Sequence, residues 1–87
     1  MTDIEREYVT KLFYDDTPLY LKLGFIKKLK AKAQLIKSST QLDTKTFKLH
    51  KLEFYKYKNI TYKIEYIQNL KTQKQKINIW KIERVKE

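Results

Sequence analysis

The sequence predicts an α+β fold: an antiparallel sheet of three or four strands with one helix, continuous or broken, packed on one face in the order β-α-β-β-β. Two patterns support this fold. Between residues 18 and 37, apolar side chains recur every three or four positions, as in a helix that buries one stripe. After residue 48 they recur at every second position, as in strands that bury one face. The length is that of a single domain, residues 1–87.

The first predicted element is a strand at residues 8–14, because this segment is rich in β-branched and aromatic side chains. A short helix is the alternative, and it would present Ile4, Tyr8, Val9 and Leu12 on one side.

A helix is predicted from Pro18 to about Lys37. Asp16 or Thr17 can cap it, and Pro18 suits the first turn, where its missing N–H costs nothing. Gly24 either permits a close approach to the sheet or divides the helix. The stripe expected to be buried consists of Leu19, Leu23, Ile26, Leu29, Ala33 and Ile36.

Three further strands are expected after a loop that ends near residue 46. The first covers about 48–58, and its change of apolar parity predicts a bulge near Phe54. A tight turn at Asn59 leads to the strand 60–66, and residues 68–76 form a polar hairpin loop. The last strand, 77–85, has apolar residues of both parities, including Trp80, which predicts a central strand covered on both sides.

The charge of +10 is unevenly distributed along the chain. Residues 1–16 carry a net charge of −3, whereas residues 17–87 carry +13. A basic body of this kind favours an anionic partner such as RNA, another nucleic acid or an acidic protein. The alternative is a solvated lysine-rich surface without a partner. The basic helix could also lie on a membrane, but the strands need it as a cover, so no membrane partner is expected.

Several classes of chemistry are excluded by composition. The chain has no cysteine, so it has no disulfide, no thiol nucleophile and no Cys-ligated metal. With one histidine, an intrachain zinc site is not expected, and neither is a cofactor. No transmembrane-length apolar run or signal-peptide pattern is present, which indicates a cytoplasmic protein.

The segment 52–66 resembles the core of RelE/ParE-type toxins of bacterial toxin–antitoxin systems. Lysine stands where that family usually has arginine, and residues 77–84 are similar to the family's last strand. The resemblance covers about residues 48–85, and the positions that match the family pattern are Tyr55, Lys56, Lys58, Tyr62, Lys63, Tyr66 and Arg84.

The resemblance implies a toxin of a type II toxin–antitoxin pair. Nuclease members cut mRNA in the ribosomal A site without metal, by attack of the 2′-hydroxyl on the adjacent phosphate. ParE-type members poison DNA gyrase instead, and both kinds are neutralised by an antitoxin, expected here to be acidic. We therefore expect a ribosome-dependent mRNA endonuclease. The alternative is a non-catalytic basic binding module: a gyrase-directed toxin, or a small phage-type protein that binds nucleic acid or inhibits a partner.

Metal-free RNA cleavage needs a base, a cation that stabilises the phosphorane and an acid. His50 is the only histidine, the residue type whose unperturbed pKa lies near neutrality, and Lys63 and Arg84 occupy the family's basic positions, so these three are the catalytic candidates. Each could instead be an ordinary surface residue. Tyr62 and Tyr66 are expected in the core. The candidates for nucleic-acid binding are Lys51, Tyr55, Lys56, Tyr57, Lys58 and Lys81.

Overall fold

A computed structural model describes residues 5–86 and contains one helix and one five-stranded sheet. The sheet is antiparallel throughout, with the strand order β1-β5-β4-β3-β2. The elements are β1 (Glu5–Lys11), α1 (Leu19–Lys32), β2 (Gln34–Asp43), β3 (Lys48–Tyr57), β4 (Ile60–Asn69) and β5 (Gln75–Lys86). The α+β class and the packing of one helix on the sheet are confirmed, but the sheet has five strands rather than three or four.

The additional strand is β2, which occupies a segment predicted as helix and loop. The helix ends at Lys32 because Ala33 adopts an extended conformation, with φ −102° and ψ 156°. Nine of the ten residues of β2 pair with residues 48–56 of β3, and these ladder hydrogen bonds replace those of a longer helix. The predicted helix end at Lys37 is therefore wrong, and Ile36 is half exposed rather than part of a buried stripe.

The helix also differs from the prediction at its start and at its glycine. Pro18 itself is the N-cap residue, and no side chain caps the helix, so neither Asp16 nor Thr17 has the predicted role. The helix continues unbroken through Gly24, which is exposed and has no atom within 4 Å of the position a Cβ would occupy. Gly24 therefore permits no close approach to the sheet.

The predicted strands are present in the structure, but the boundaries of the first strand and the position of the bulge differ from the prediction. The first strand covers residues 5–11 rather than 8–14, and Leu12 and Phe13 leave it to pack against the core. No bulge interrupts the pairing of β3 with β4, and the irregularity lies in β2, between Leu35 and Lys37. The tight turn at Asn59 is confirmed, with Lys58 at a positive φ of 56°.

The core lies between α1 and one side of the sheet, which we call the helix face. Residues Ile26 and Leu29 of the helix pack on Tyr55, Ile64, Ile77 and Ile79. Phe25 extends this contact, because its ring lies edge-on to the rings of Phe13 and Tyr62 at 5.6 and 5.9 Å. Tyr62 and Tyr66 pack against the same cluster, as predicted.

Lys22 is buried on the same helix, although a lysine is rarely found inside. Its Nζ donates a hydrogen bond of 2.8 Å to the carbonyl oxygen of Ile77, so its polar head has a partner. This bond ties the first half of α1 to the central strand β5. No helix within residues 5–86 is long and apolar enough to cross a membrane.

Candidate nucleic-acid interface

The side of the sheet opposite α1, which we call the open face, has no second layer within residues 5–86, since the single helix packs on the other side. Directly paired residues of antiparallel strands point to the same side, so the pairing register defines the open face. It carries seven of the nine strand lysines: Lys11, Lys37, Lys48, Lys56, Lys63, Lys76 and Lys86.

One cross-strand row of the open face alternates cationic and aromatic side chains over all five strands. Lys37 of β2 pairs with Phe54 of β3, which pairs with Lys63 of β4. Lys63 pairs with Trp80 of β5, and Trp80 pairs with Lys11 of β1. We call these five residues the Lys–aromatic row. Adjacent strands are about 4.8 Å apart, so the row extends about 19 Å across the sheet.

Two of the three amines of the row lie over its rings. The Nζ of Lys63 is 5.0 Å from the centroid of Trp80, and the Nζ of Lys37 is 5.9 Å from that of Phe54. Contacts of this kind contribute about 0.5–1 kcal/mol at exposed sites. They hold the amines close to the sheet, yet they neutralise no charge, so Lys37 and Lys63 remain cationic and can bind phosphate.

Carboxylates lie beside the row rather than within it. Lys11, at one end, forms an ion pair of 2.5 Å with Asp15. The hydrogen bond from Lys11 lowers the pKa of the Asp15 carboxyl. On β4, Glu65 accepts a hydrogen bond of 2.9 Å from the side-chain amide of Asn78. The free cationic part of the row is therefore its β2–β4 portion.

A groove of about 650 Å³ lies beside the row, towards the β3–β4 turn. Phe54 and Lys37 form part of its wall, and Lys56 and Arg84 lie on opposite sides of it. The Nε of Arg84 is 3.4 Å from the Oε2 of Glu7, and both side chains are exposed. An exposed pair of this kind is worth at most about 1 kcal/mol, so a phosphate could replace Glu7 as the partner of Arg84.

The three predicted catalytic residues share the open face but do not converge. His50 pairs with Ile67 of β4, four residues beyond Lys63, and Arg84 lies four residues beyond Trp80, the β5 partner of Lys63. Four residues of strand span about 13 Å, so the three side chains are distributed over about 26 Å of strand length. His50 faces a different part of the open face, beside Asp43 and Glu65.

The predicted nucleic-acid-binding residues divide between the two faces. Lys56 lies on the open face, and Lys58 lies in the β3–β4 turn. The pairing register places the other four, which are Lys51, Tyr55, Tyr57 and Lys81, on the helix face.

Each residue of this second group has partners on the helix face. Tyr55 is buried in the core, where no base can reach it, so it is not available as the predicted nucleic-acid-binding residue. Lys51 lies 5.7 Å from the Tyr66 ring. Lys81 forms a 2.6 Å ion pair with Glu83, which raises the pKa of Lys81. Tyr57 is half-buried, with two amines near its ring.

The sequence pattern alone does not reveal the aromatic members of the row or Lys37 as parts of a site. It predicts that Trp80 lies in a strand covered on both sides and that a bulge lies near Phe54. Both lie on the open face and are half-buried. A parity count in β5 places Trp80 with Lys76 and Arg84 and opposite Ile77 and Ile79, and this signal could have placed it on the basic side.

Comparison with known proteins identifies no matching family model, no similar curated protein and no similar solved structure. In residues 5–86, no group of three or more histidine and acidic side chains is placed to hold a metal ion.

Proposed function

We propose that this protein binds single-stranded RNA across its open face and acts as a non-catalytic binding module. The observation that carries the proposal is the Lys–aromatic row, in which Phe54 and Trp80 alternate with lysines. Within residues 5–86, Lys37 and Lys63 of this row form no ion pair, whereas Lys11 is paired with Asp15. Single-stranded RNA is recognised by stacking of unpaired bases on aromatic rings, with cations on the phosphates. A four-stranded sheet with exposed aromatic residues is a known platform for this mode of binding.

The energetics favour a moderate, salt-sensitive affinity. Two stacked bases would contribute about 2–6 kcal/mol together, at about 1–3 kcal/mol for each base. Lys37 and Lys63 would move from the rings to the phosphates, which exchanges a weak cation–π contact for a charge-assisted hydrogen bond. Lys56 and Arg84 extend the basic track into the neighbouring groove.

Ribosome-dependent mRNA cleavage, the activity expected from the resemblance, is the competing proposal. It is favoured by the location of His50, Lys63 and Arg84 on one face. The non-catalytic proposal is preferred because His50 and Arg84 each lie about 13 Å from Lys63, in opposite directions along the strands, and a general base must be within hydrogen-bonding distance of its proton.

The test is a binding titration with a labelled single-stranded RNA of about ten nucleotides, near the site size of one small domain. Trp80 is the only tryptophan in the chain, so its emission should change as RNA stacks on it. We expect Lys63→Glu to weaken binding at least about tenfold and to lower the slope of log K against log salt by about 0.7 for each lost phosphate contact.

Lys27→Glu is the matched control, because it makes the same charge change on the exposed side of α1. It should change the affinity much less than Lys63→Glu. Equal effects of the two variants would mean that only the net charge matters. Unchanged Trp80 emission at saturating RNA would also contradict the proposal, as would tighter binding of duplex RNA than of the single strand.

A further inference from the structure

The edge strand β2 is an exposed template for pairing with another chain. It pairs with β3 on one side only, and its residues from Gln34 to Leu42 are all exposed. An edge strand directs the N–H and C=O of alternate residues outward, where they can form hydrogen bonds with another strand. Soluble proteins usually protect such an edge with charges, prolines or a covering segment.

The two edges of this sheet differ in that protection. In β1, four of the seven residues are charged, with Glu5, Arg6, Glu7 and Lys11 along the strand. In β2, the five residues from Ser38 to Leu42 are uncharged, and the only charges are Lys37 and Asp43 at their two ends. There is no proline in β2. The bulge at Leu35–Lys37 ends before this segment begins, so the pairing from Lys37 to Asp43 is regular.

The charges of β2 are self-complementary. If two copies pair antiparallel with Thr40 opposite Thr40, Lys37 of each copy lies opposite Asp43 of the other, which gives two equivalent ion pairs. The same register places Ser39 opposite Gln41, and Ser38 opposite Leu42. In each pair both residue numbers are odd or both are even, so both side chains lie on the same side of the sheet. Open-face residues of one copy therefore lie opposite open-face residues of the other. We propose that a second copy of this chain pairs with β2 in this register and forms a two-fold symmetric dimer with a continuous ten-stranded sheet.

Two further observations support a second copy of this chain as the partner of β2. Asp43 is fixed at the strand end, since its Oδ1 accepts hydrogen bonds of 3.0 and 3.3 Å from the N–H groups of Lys45 and Thr46. Its carboxylate is thus held where the opposing Lys37 would arrive. The flanks of the edge are apolar and half exposed at Leu35, Ile36 and Leu42, and pairing would cover part of this surface.

The net charge of the chain opposes this association, because each copy carries +10. Salt screens repulsion between distant surface charges more than it weakens a short backbone ladder. The dimer should therefore become more stable as salt rises from low concentration. RNA binding is expected to respond in the opposite direction, so the two processes can be separated in one salt series.

The test uses the absence of cysteine in the chain. Thr40→Cys places a single thiol on the proposed two-fold axis, where facing Cα atoms of an antiparallel pair are about 4.5–5.5 Å apart and within disulfide range. Under mild oxidation we expect Thr40→Cys to form a covalent dimer rapidly. Thr10→Cys, in the exposed edge strand β1, is the matched control and should cross-link much more slowly.

Sedimentation of the unoxidised chain tests the same proposal without cysteine. The expected result is a mass of twice 10.7 kDa at high protein concentration. Lys37→Glu, which puts like charges opposite each other, should shift the equilibrium at least about tenfold towards monomer, as expected for a lost ion pair and a new repulsion. Lys27→Glu should not. A monomeric wild-type chain in this assay, or equal cross-linking of the two cysteine variants, would overturn the proposal.

Discussion

At the scale of single residues, the β3–β4 hairpin contains an unusual contact between a buried carboxylate and a tyrosine hydroxyl. Glu53 is buried on the helix face, and its Oε2 accepts a hydrogen bond of 3.1 Å from the Tyr55 hydroxyl. The Nζ of Lys51 lies 3.9 Å from the same oxygen. In residues 5–86, the Oε1 of Glu53 has no hydrogen-bond partner. The Tyr55 hydroxyl and the Lys51 amine therefore support a carboxylate that would otherwise be costly to bury.

The Tyr55 hydroxyl should lose its proton only at a pH above the usual range for tyrosine. Burial, and then the hydrogen bond and negative charge of Glu53, raise the pKa of Tyr55 to about 12, and the same causes raise that of Tyr66 further. Because the folded pKa of Tyr55 exceeds the unfolded value of about 10, its contribution to stability is complete below pH 10 and is lost as the pH rises towards 12.

The measurement is an alkaline titration of tyrosinate absorbance in the folded protein, compared with Tyr55→Phe. The difference between the two curves should be one tyrosine that titrates near pH 12. A difference curve centred near pH 10 would mean that the Tyr55 hydroxyl is neither buried nor bound to Glu53.

At the scale of elements, the strand that begins at residue 60 could be predicted because apolar and polar side chains alternate along it. Ile60, Tyr62 and Ile64 share one side of β4 in both prediction and structure. The error at β2 has a physical cause, since Ala33 and Ile36 continue the helical spacing set by Ile26 and Leu29. Residues 34–43 form a strand because they pair with β3, and a local sequence pattern does not show which distant segment will be the pairing partner.

Gly24 lowers the stability of α1, although no close contact at this position requires a glycine. It lies in the helix interior, it is exposed, and a Cβ there would contact nothing within 4 Å. We expect Gly24→Ala to raise the free energy of unfolding by about 0.5–1 kcal/mol, because alanine restricts the unfolded chain and has the better helix propensity. Urea denaturation followed by circular dichroism measures this change.

A suitable comparison is Lys28→Ala, another exposed position of α1 where both residues are good helix formers. It should leave the stability almost unchanged. If Gly24→Ala failed to stabilise the protein, α1 would have to be frayed or bent at this position rather than continuous.

At the scale of the whole molecule, the site depends on register, which a single sequence does not determine. Parity places Lys63 and Trp80 on the same side of the sheet, but their contact requires β4 and β5 to be aligned to the residue. Lys37 joins the row only because β2 exists and carries a bulge. The basic, aromatic character of the sheet was therefore predictable, whereas the arrangement of the row was not.

The proposed dimer would enlarge this surface rather than cover it. Its two-fold axis is perpendicular to the sheet, because paired residues keep the same parity, so both open faces lie on one side. The two Lys–aromatic rows would be offset by six residues, about 20 Å along the strands. If both proposals hold, a longer single strand would contact both rows, and its affinity would exceed that of a short strand through linkage of the two sites.

The distribution of charge over the open face also predicts the fate of the bound RNA. Cleavage by the 2′-hydroxyl needs a base, a phosphate-binding cation and an acid around one phosphorus atom. His50 lies about 13 Å along the strands from Lys63, which is too far for both to act on one phosphate. We therefore expect mRNA to stay intact when the protein is added to a translation reaction at stoichiometry with ribosomes, as measured by primer extension.

His50→Ala is the decisive companion variant, because His50 is half-buried and takes no part in the core cluster. With the wild-type message intact, the variant should give the same pattern and the same RNA affinity. Message that is cut by the wild-type chain and spared by His50→Ala would instead establish a ribosome-dependent nuclease. In that case the ribosome would have to supply the remaining catalytic groups, because Lys63 is too far from His50 for both to act on one phosphate.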